Sequence, residues 1–198
     1  VLEGYYLNGS TSGILKSYYP NGEKDRVVSF SRGDIHGEDL HYFESGSLKN
    51  KFAYEFGVEV NTDESFYEYG KIEVTTEQAA GVTHGRKVFY DTNGNLELIR
   101  FYDYGRLTGY SYADENSKEL PLIELPGETG NIKAYFNNGK PSRQLEYPKG
   151  HLTGTYRSFY YYADPQYEAE YKSGEMHGKV TEFFADGKVS TEKNYFYG

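Results

Sequence analysis

The segment GDIHGEDLHYFESGSLKNKFAYEFG, residues 33–57, decides the fold because its pattern recurs along the chain. It contains four glycines, Gly33, Gly37, Gly46 and Gly57, with aromatic residues at fixed distances between them. When Gly37 is taken as position zero, the same pattern of glycines and aromatics returns at a period of 24 residues. A fixed period of this length indicates a repeat protein.

Eight repeats follow from this spacing, and the fifth is three residues shorter than the others. Repeats one to eight start at Gly13, Gly37, Asn61, Gly85, Gly109, Gly130, Gly154 and Gly178. Position nine carries the turn glycines Gly22, Gly46, Gly70, Gly94, Gly139 and Gly187, with Lys118 and Ala163 as exceptions. We therefore predict a single repeat array over residues 1–198, with a partial repeat over 1–12 and an irregular one over 109–129.

Each repeat is typical of a β-hairpin. Tyr, Phe, Thr and Val favour strands, and Asn-Gly or Asp-Gly at positions eight and nine favours a two-residue type I′ turn. Helical periodicity is not sustained anywhere in the chain. The predicted fold is all-β: an elongated, twisted, single-layer antiparallel sheet, a β-meander of about eight 24-residue hairpins.

A two-residue turn also predicts which side chains share a face of the sheet. Position six would pair with position eleven, and positions thirteen, fifteen and seventeen would follow on that side. This apolar face would include Tyr19, Leu48, Val28 and Tyr54. The opposite, polar face would be crossed by one aromatic stripe at position five: Tyr18, Tyr42, Phe66, Tyr90, Tyr135, Phe159 and Phe183.

The irregular fifth repeat lacks the position-nine glycine and contains Pro121 and Pro126. Proline cannot donate a hydrogen bond to a sheet. We expect a bulge, kink or loop between Ser117 and Gly127. Two interpretations remain open at this stage: drift in a tolerant array, or a break that shapes a binding surface.

The phrases Tyr-Tyr-Pro-Asn-Gly (18–22), Tyr-Phe-Asn-Asn-Gly (135–139) and Phe-Phe-Ala-Asp-Gly (183–187) are each followed by a strand pattern. A Gly-x-x-x-Gly box then joins one hairpin to the next. This arrangement resembles the MORN-repeat variant and is similar to bacterial YwqK-type proteins of the antitoxin family. The resemblance implies an elongated sheet of hairpins that binds proteins, including a toxin, and it supplies no catalytic residues.

Composition excludes several classes of protein. The chain has 30 acidic and 21 basic residues, a net charge of −9, and neither Cys nor Trp. Disulfides and thiolate sites are therefore absent, and the acidity argues against a nucleic-acid partner. No apolar run approaches the roughly 20 residues of a membrane span. Because no signal peptide is visible and Cys is lacking, an exported or periplasmic location and a cytoplasmic one both stay open.

Chemical motifs are weak. The histidines His36, His84 and His177 precede the closing glycine of a box, where Thr replaces them in other repeats, so we expect a hydrogen bond to the turn. Their separation argues against a metal site. The segment 91–97 superficially resembles a calcium loop, but a hairpin turn explains it better. We expect no enzyme activity, no metal and no cofactor.

The sequence favours a non-enzymatic protein-binding module, similar to an antitoxin or immunity protein, whose partner could be a basic toxin. The aromatic stripe is the candidate binding surface. A structural or cell-surface scaffold is the alternative, and a carbohydrate-binding module is the third. The pattern starts and stops within a repeat, so we expect a fragment of a longer protein whose ends could associate.

Overall fold

The computed structural model describes residues 2–3, 6–7 and 10–196, with side chains from Ser10 to Phe196. Parts of the predicted partial repeat 1–12 and the end of repeat eight lie outside the described residues, namely positions 1, 4, 5, 8, 9, 197 and 198. The described chain is almost entirely β-structure, with one 3₁₀ turn at Pro126–Glu128.

Strands follow one another in an order that confirms the predicted meander of antiparallel hairpins. The strands are β1 Leu2–Glu3, β2 Tyr6–Leu7, β3 Ser10–Thr11, β4 Gly13–Tyr18, β5 Lys24–Ser31, β6 Asp34–Tyr42, β7 Leu48–Glu55, β8 Val58–Glu59, β9 Asn61–Phe66, β10 Ile72–Ala79, β11 Val82–Tyr90, β12 Leu96–Asp103, β13 Arg106–Ser111, β14 Ile123–Glu124, β15 Gly130–Tyr135, β16 Pro141–Tyr147, β17 Thr153–Phe159, β18 Pro165–Lys172, β19 Glu175–Phe183 and β20 Val189–Tyr195.

The hairpin turn differs from the predicted two-residue type I′ turn. In repeat one, Gly22 N donates to Tyr19 O at 3.0 Å, and Tyr19 N donates to Glu23 O at 2.8 Å. Gly22 has φ +91, whereas Asn21 has no positive φ. A shift in strand register follows directly, between Ser17 and Tyr18. The connection is therefore a four-residue turn that ends in a glycine bulge, which suits the twist of the flanking strands.

This bulge overturns the predicted pairing of positions six and eleven. Position six lies in the turn, and position five pairs with position eleven, as in Tyr42 with Leu48. Leu48 is thus the cross-strand partner of the stripe residue Tyr42 and does not lie on the predicted apolar face. Positions thirteen, fifteen and seventeen do share a face, and they pair with positions four, two and zero of the adjacent strands. For example, Val28 at position fifteen pairs with Leu15 and with Asp39, both at position two of their repeats.

The chain forms two compact units. The N-terminal unit runs to Lys87 and includes Thr92–Gly94. The C-terminal unit comprises Val88–Asp91 and the chain from Asn95 onward. In the N-terminal unit the strand order is β1-β4-β5-β6-β7-β9-β10, and β8 pairs with β7. The C-terminal unit contains β12-β13-β14 in one sheet and β15 to β20, in sequential order, in another.

The irregular repeat separates these two sheets of the C-terminal unit, and the segment predicted to be a bulge, kink or loop, Ser117 to Gly127, is irregular except for the short strand β14. Its hairpin turn starts one residue early, since Asp114 N donates to Lys118 O at 2.8 Å. Ser117, with φ 61, therefore takes the place that glycine occupies elsewhere, instead of Lys118. The chain then returns as β14 against β13 before the 3₁₀ turn.

Apolar burial is concentrated in the C-terminal unit, where β12 packs against β15 and β16. Its core contains Leu98, Ile99, Leu107, Ile132, Phe136 and Leu145. Ser142 Oγ on β16 donates to Glu97 O on β12 at 2.5 Å and ties the two sheets together. In the N-terminal unit, the buried side chains include Val28, which pairs with Asp39, and the cross-strand pair of Asp63 and Thr76.

Candidate interaction surfaces

The aromatic stripe lies at one register point, the last strand residue before each hairpin turn. Tyr18 pairs with Lys24, Phe66 with Ile72 and Phe183 with Val189. All seven side chains are half-buried: Tyr18, Tyr42, Phe66, Tyr90, Tyr135, Phe159 and Phe183. Each ring therefore packs against its own hairpin and keeps part of its surface in solvent.

Within each unit the stripe residues stand on alternate strands. Tyr18, Tyr42 and Phe66 lie on β4, β6 and β9 of the N-terminal unit. At roughly 4.8 Å between strands, neighbouring stripe residues are about 10 Å apart. One lysine occupies an intervening space, since Lys24 Nζ lies 5.9 Å from the centre of the Tyr42 ring. Elsewhere the paired residue is apolar, as at Leu48 and Val189, so the stripe is mainly a row of aromatic groups.

Side chains in the hairpin turns bind each repeat to the next. At position six, Tyr19 Oη donates to Tyr42 O at 2.7 Å, and Tyr160 Oη donates to Phe183 O at the same distance. At position eight, Asn138 Nδ2 donates to Tyr161 O at 2.7 Å. These bonds fix the spacing between successive turns. Asn and Tyr at these positions therefore do more than form the local turn.

The predicted hydrogen bond from a box residue to a turn is present at His36, whereas Thr108 bonds to a strand residue. His36 Nδ1 accepts from Phe56 N at 3.4 Å, and the two rings lie 4.5 Å apart. Thr108, which stands in the same place in repeat five, donates from Oγ1 to Phe101 O at 3.1 Å. Both residues therefore help to hold the connection between two hairpins.

Metal-ligand geometry is lacking in the part of the chain that the structure describes, where no group of three His, Asp or Glu side chains could hold an ion. In the segment that superficially resembles a calcium loop, both carboxylate oxygens of Asp91 accept hydrogen bonds from Asn95. Oδ1 accepts from Asn95 N at 2.7 Å, and Oδ2 accepts from Asn95 Nδ2 at 2.9 Å. This segment is a turn stabilised by its own side chains, as the sequence predicts.

Two carboxylates at position two are buried in the N-terminal unit. Arg26 donates to both oxygens of Asp39, at 2.7 and 2.6 Å, and His41 Nε2 lies 3.2 Å from Asp39 Oδ1. The hydrogen bond to Asp39 raises the pKa of Arg26. The Asp39 carboxylate therefore has full charge compensation on this face.

Asp63, the corresponding residue of the next repeat, has no such cation. Gln78 Nε2 donates to Asp63 Oδ2 at 2.6 Å, while Asp63 Oδ1 and Gln78 Oε1 are buried without hydrogen-bond partners. Burial raises the pKa of Asp63 to about 6, and Glu59 adds to this, while Gln78 and Lys87 oppose it. Asp63 is thus a carboxyl group that ionises near neutral pH.

In the C-terminal unit, a buried ion pair spans the two sheets. Glu97 is 0% exposed, and Arg143 Nε donates to its Oε2 at 2.7 Å. The Arg143 guanidinium also lies 4.5 Å from the centre of the Phe89 ring and donates to Tyr156 Oη. The pair is surrounded by core residues and joins β12 to β16, so removing one partner would leave a buried charge without compensation.

A groove of about 560 Å³ lies beside the irregular repeat. Its floor contains Tyr112 and the stripe residue Tyr135, whose ring centres are 5.5 Å apart with planes at 58°. Leu120 adds an apolar wall, and Asp114 and Glu115 form part of the rim. We call this site the Tyr112 groove. Tyr112 is not among the predicted site residues, although the shortened repeat and its two prolines indicate this place in the chain.

A second groove of about 580 Å³, in the N-terminal unit, is lined by Glu38, Lys51, Tyr54 and Glu64 among others. Lys51 Nζ lies 3.3 Å from Glu38 and 3.9 Å from Glu64, so part of its charge is compensated internally. Burial, reinforced by Glu59, raises the pKa of Tyr54 to about 12. This groove is therefore more polar than the Tyr112 groove and has fewer aromatic groups to offer.

Comparison with known proteins supports the repeat pattern. Two stretches, residues 83–104 and 176–196, match the MORN repeat variant. Both matches begin two residues before position zero, in repeats four and eight. No curated protein matches the chain. MORN repeats generally act as non-catalytic modules that bind proteins or membranes. None of the helical structure described here is long and apolar enough to cross a membrane.

Proposed function

We propose that this chain is a non-enzymatic protein-binding module of the antitoxin or immunity type, which occludes a basic partner such as a toxin. The observation that carries the proposal is the aromatic stripe, in which seven half-exposed rings occupy one register point of successive hairpins. Aromatic side chains bury large areas at little entropic cost, and they dominate many binding interfaces.

Charge supports a basic partner. The chain has a net charge of −9, and an acidic surface accelerates association with a basic protein through long-range attraction. The matches to the MORN repeat variant are consistent with protein binding in general. The antitoxin role itself rests on the resemblance of the hairpin phrases to that family. The proposal takes residues 1–198 to act as one repeat array.

Affinity capture tests the proposal. The chain is immobilised, incubated with lysate of its source organism at about 50 mM and at about 500 mM salt, and the retained proteins are identified by mass spectrometry. We expect one basic partner at a stoichiometric ratio, with affinity that falls as salt rises. The recovered protein is then assayed alone and in complex, and the proposal requires that its activity be suppressed in the complex.

A stripe variant provides the matched control. Phe159→Ala removes a half-buried ring from the stripe, whereas Tyr162→Ala removes a ring that is 79% exposed and outside it. We expect at least a tenfold loss of affinity for Phe159→Ala and little change for Tyr162→Ala. Equal affinities of both variants, after circular dichroism has shown that both are folded, would contradict binding through the stripe.

A structural scaffold is the second candidate, and the bonds between successive turns favour it. Tyr19 Oη to Tyr42 O and Asn21 Nδ2 to Glu44 O, each 2.7 Å, would stiffen an array used as a spacer. Sedimentation velocity distinguishes the two functions. Self-association that increases with concentration, together with no captured partner, would favour the scaffold over the binding module.

A further inference from the structure

We infer that the Tyr112 groove receives an arginine side chain from the protein partner, with its guanidinium over the face of one of the two tyrosine rings and directed to the carboxylates of the rim. This inference rests on the proposed protein-binding function and specifies the chemistry of one contact. The groove belongs to the C-terminal unit, between the hairpin turns of repeats five and six.

The groove has fixed walls. Asn137 Nδ2 in the turn of repeat six donates to Ser117 Oγ in the turn of repeat five at 2.7 Å. Tyr161 Oη donates to Asn137 Oδ1 at 2.8 Å, so the amide is held from both sides. Asp114 Oδ1 accepts from Asn116 N and from Lys118 N, each at 2.9 Å, which shapes the opposite turn. A preformed groove saves the cost of ordering its walls on binding.

The floor offers π faces and hydroxyl groups. Among the residues that the structure describes, neither Tyr112 Oη nor Tyr135 Oη has a hydrogen-bond partner. Burial raises the pKa of Tyr112, so its hydroxyl stays protonated at neutral pH. The face of a tyrosine ring is the negative part of its quadrupole and attracts a cation placed above it. The Tyr112 and Tyr135 rings are inclined by 58°, so a planar cation can stack on one of them while the other ring lies beside it.

The rim carries negative charge. Within residues 10–196, neither Asp114 nor Glu115 forms an ion pair. The lysines nearest in sequence, Lys118 and Lys140, are exposed and do not belong to the lining. The lining thus combines carboxylates, hydroxyl oxygens and aromatic faces. An arginine fits this set better than a lysine, because its flat guanidinium stacks on rings and donates hydrogen bonds in its own plane.

Two short peptides test the inference without the natural partner. Acetyl-Gly-Arg-Gly-amide is titrated into the ¹⁵N-labelled chain, and the amide resonances are followed by NMR. Acetyl-Gly-citrulline-Gly-amide, which has the same shape but no charge, is the matched ligand. We expect millimolar binding of the arginine peptide, with shifts concentrated in residues 112–120 and 135–140. The citrulline peptide should bind at least about fivefold more weakly.

Variants locate the contact. Tyr112→Ala should lower the affinity for the arginine peptide by about fivefold or more. Tyr162→Ala alters an exposed ring outside the groove and should leave this affinity unchanged. Because Tyr112 is half-buried, Glu115→Gln provides a change that cannot disturb the core, and it should weaken binding by about twofold. Equal binding of both peptides, or shifts spread evenly over other acidic surfaces, would overturn the inference.

The two proposals fail separately. If Tyr112→Ala and Glu115→Gln bind a captured basic partner as tightly as the natural sequence does, the partner uses another surface. The arginine contact is then wrong, while the protein-binding function stands. If the arginine peptide binds in the groove but no salt-sensitive partner is captured, the groove inference is supported and the proposed function is contradicted.

Discussion

The two compact units bury different kinds of side chain, although both are built from the same hairpin repeat. In the C-terminal unit, β12 packs against β15 and β16, and aliphatic residues such as Leu98 and Ile132 are fully enclosed. In the N-terminal unit, the buried side chains include polar ones, namely Asp39 opposite Val28, and Asp63 opposite Thr76. The repeat determines the hairpin, whereas the packing of a second sheet determines whether an apolar core forms.

In the sheet of the N-terminal unit, the contacts described for β4 to β10 run between neighbouring strands, so its side chains are shielded from water mainly by one another. Its central positions are then filled by groups that satisfy one another, as Arg26 and Asp39 do. A second sheet removes more apolar surface from water, at about 25 cal/mol per Å². It also allows a carboxylate such as Glu97 to be fully enclosed, provided that a cation accompanies it. Removing the partner of a buried charge therefore tests how strongly each unit shields its interior from water.

The largest effect is expected for Arg143→Met in the C-terminal unit. This change leaves Glu97, which is 0% exposed, without its guanidinium partner. Breaking a buried ion pair on one side costs about 3–5 kcal/mol. Urea denaturation followed by circular dichroism measures the loss. The double variant Glu97→Gln/Arg143→Met should recover part of it, since no charge then stays buried, and no recovery would point to lost packing on Phe89 instead.

Arg26→Met makes the matching change in the N-terminal unit and should cost less. The Arg26 side chain is 38% exposed, so water can reach the pair and partly solvate Asp39 when the arginine is removed. We expect a loss of roughly 1–2 kcal/mol, measured by the same denaturation experiment. A loss as large as that of Arg143→Met would show that the open sheet shields its charges as well as the enclosed core does.

A pH-dependent effect is expected for Asp63→Asn. The pKa of Asp63 is raised from 3.8 to about 6, so the folded state binds its proton more tightly than the unfolded state. Stability therefore increases as the pH falls from about 6 towards 4, and the cost of the buried charge is fully present above pH 6. Allowing for screening by nearby solvent, this cost is roughly 1–2 kcal/mol.

The asparagine removes that cost by offering Gln78 one acceptor and one donor at every pH. Asp63→Asn should raise the melting temperature at pH 8 and have little effect at pH 4. Thermal unfolding of the natural chain and the variant is compared from pH 4 to 8, because the difference cancels the titration of other carboxyl groups. A variant that is less stable at pH 8 would mean that the Asp63 carboxylate is well solvated.

The repeat spacing made most of the fold predictable. Positions of strands and turns follow from glycines and aromatics that act locally, and the irregular repeat was visible in its missing residues and in Pro121 and Pro126. The turn type was wrong because Asn-Gly suits both a type I′ turn and a bulged four-residue turn. Pro20, one residue before Asn21, favours the second and was the available signal.

Contacts between distant parts of the chain could not be predicted in the same way. Glu97 and Arg143 lie 46 residues apart, and nothing in the local pattern pairs them. The Tyr112 groove depends on where the turns of repeats five and six meet, which is a consequence of the one-residue shift at Asp114. The stripe was located by register alone, and its role in binding remains a prediction.

The smallest effect concerns the bonds between successive turns, which both units share. Tyr160→Phe removes the hydroxyl that donates to Phe183 O at 2.7 Å, and Tyr19→Phe removes the same bond to Tyr42 O. We expect Tyr160→Phe to cost about 0.5–1.5 kcal/mol, because the carbonyl can bind water in its place.

Tyr162→Phe alters an exposed side chain two residues after Tyr160 and is the control, for which we expect no change. Hydrogen exchange followed by mass spectrometry checks both units, since each variant should speed exchange in its own turn and the next one. Because the bond depends on neighbouring turns rather than on an enclosed core, both variants should show this local effect. If only the variant in the C-terminal unit shows faster exchange, the protection by this bond depends on the packing of the second sheet and not on the repeat.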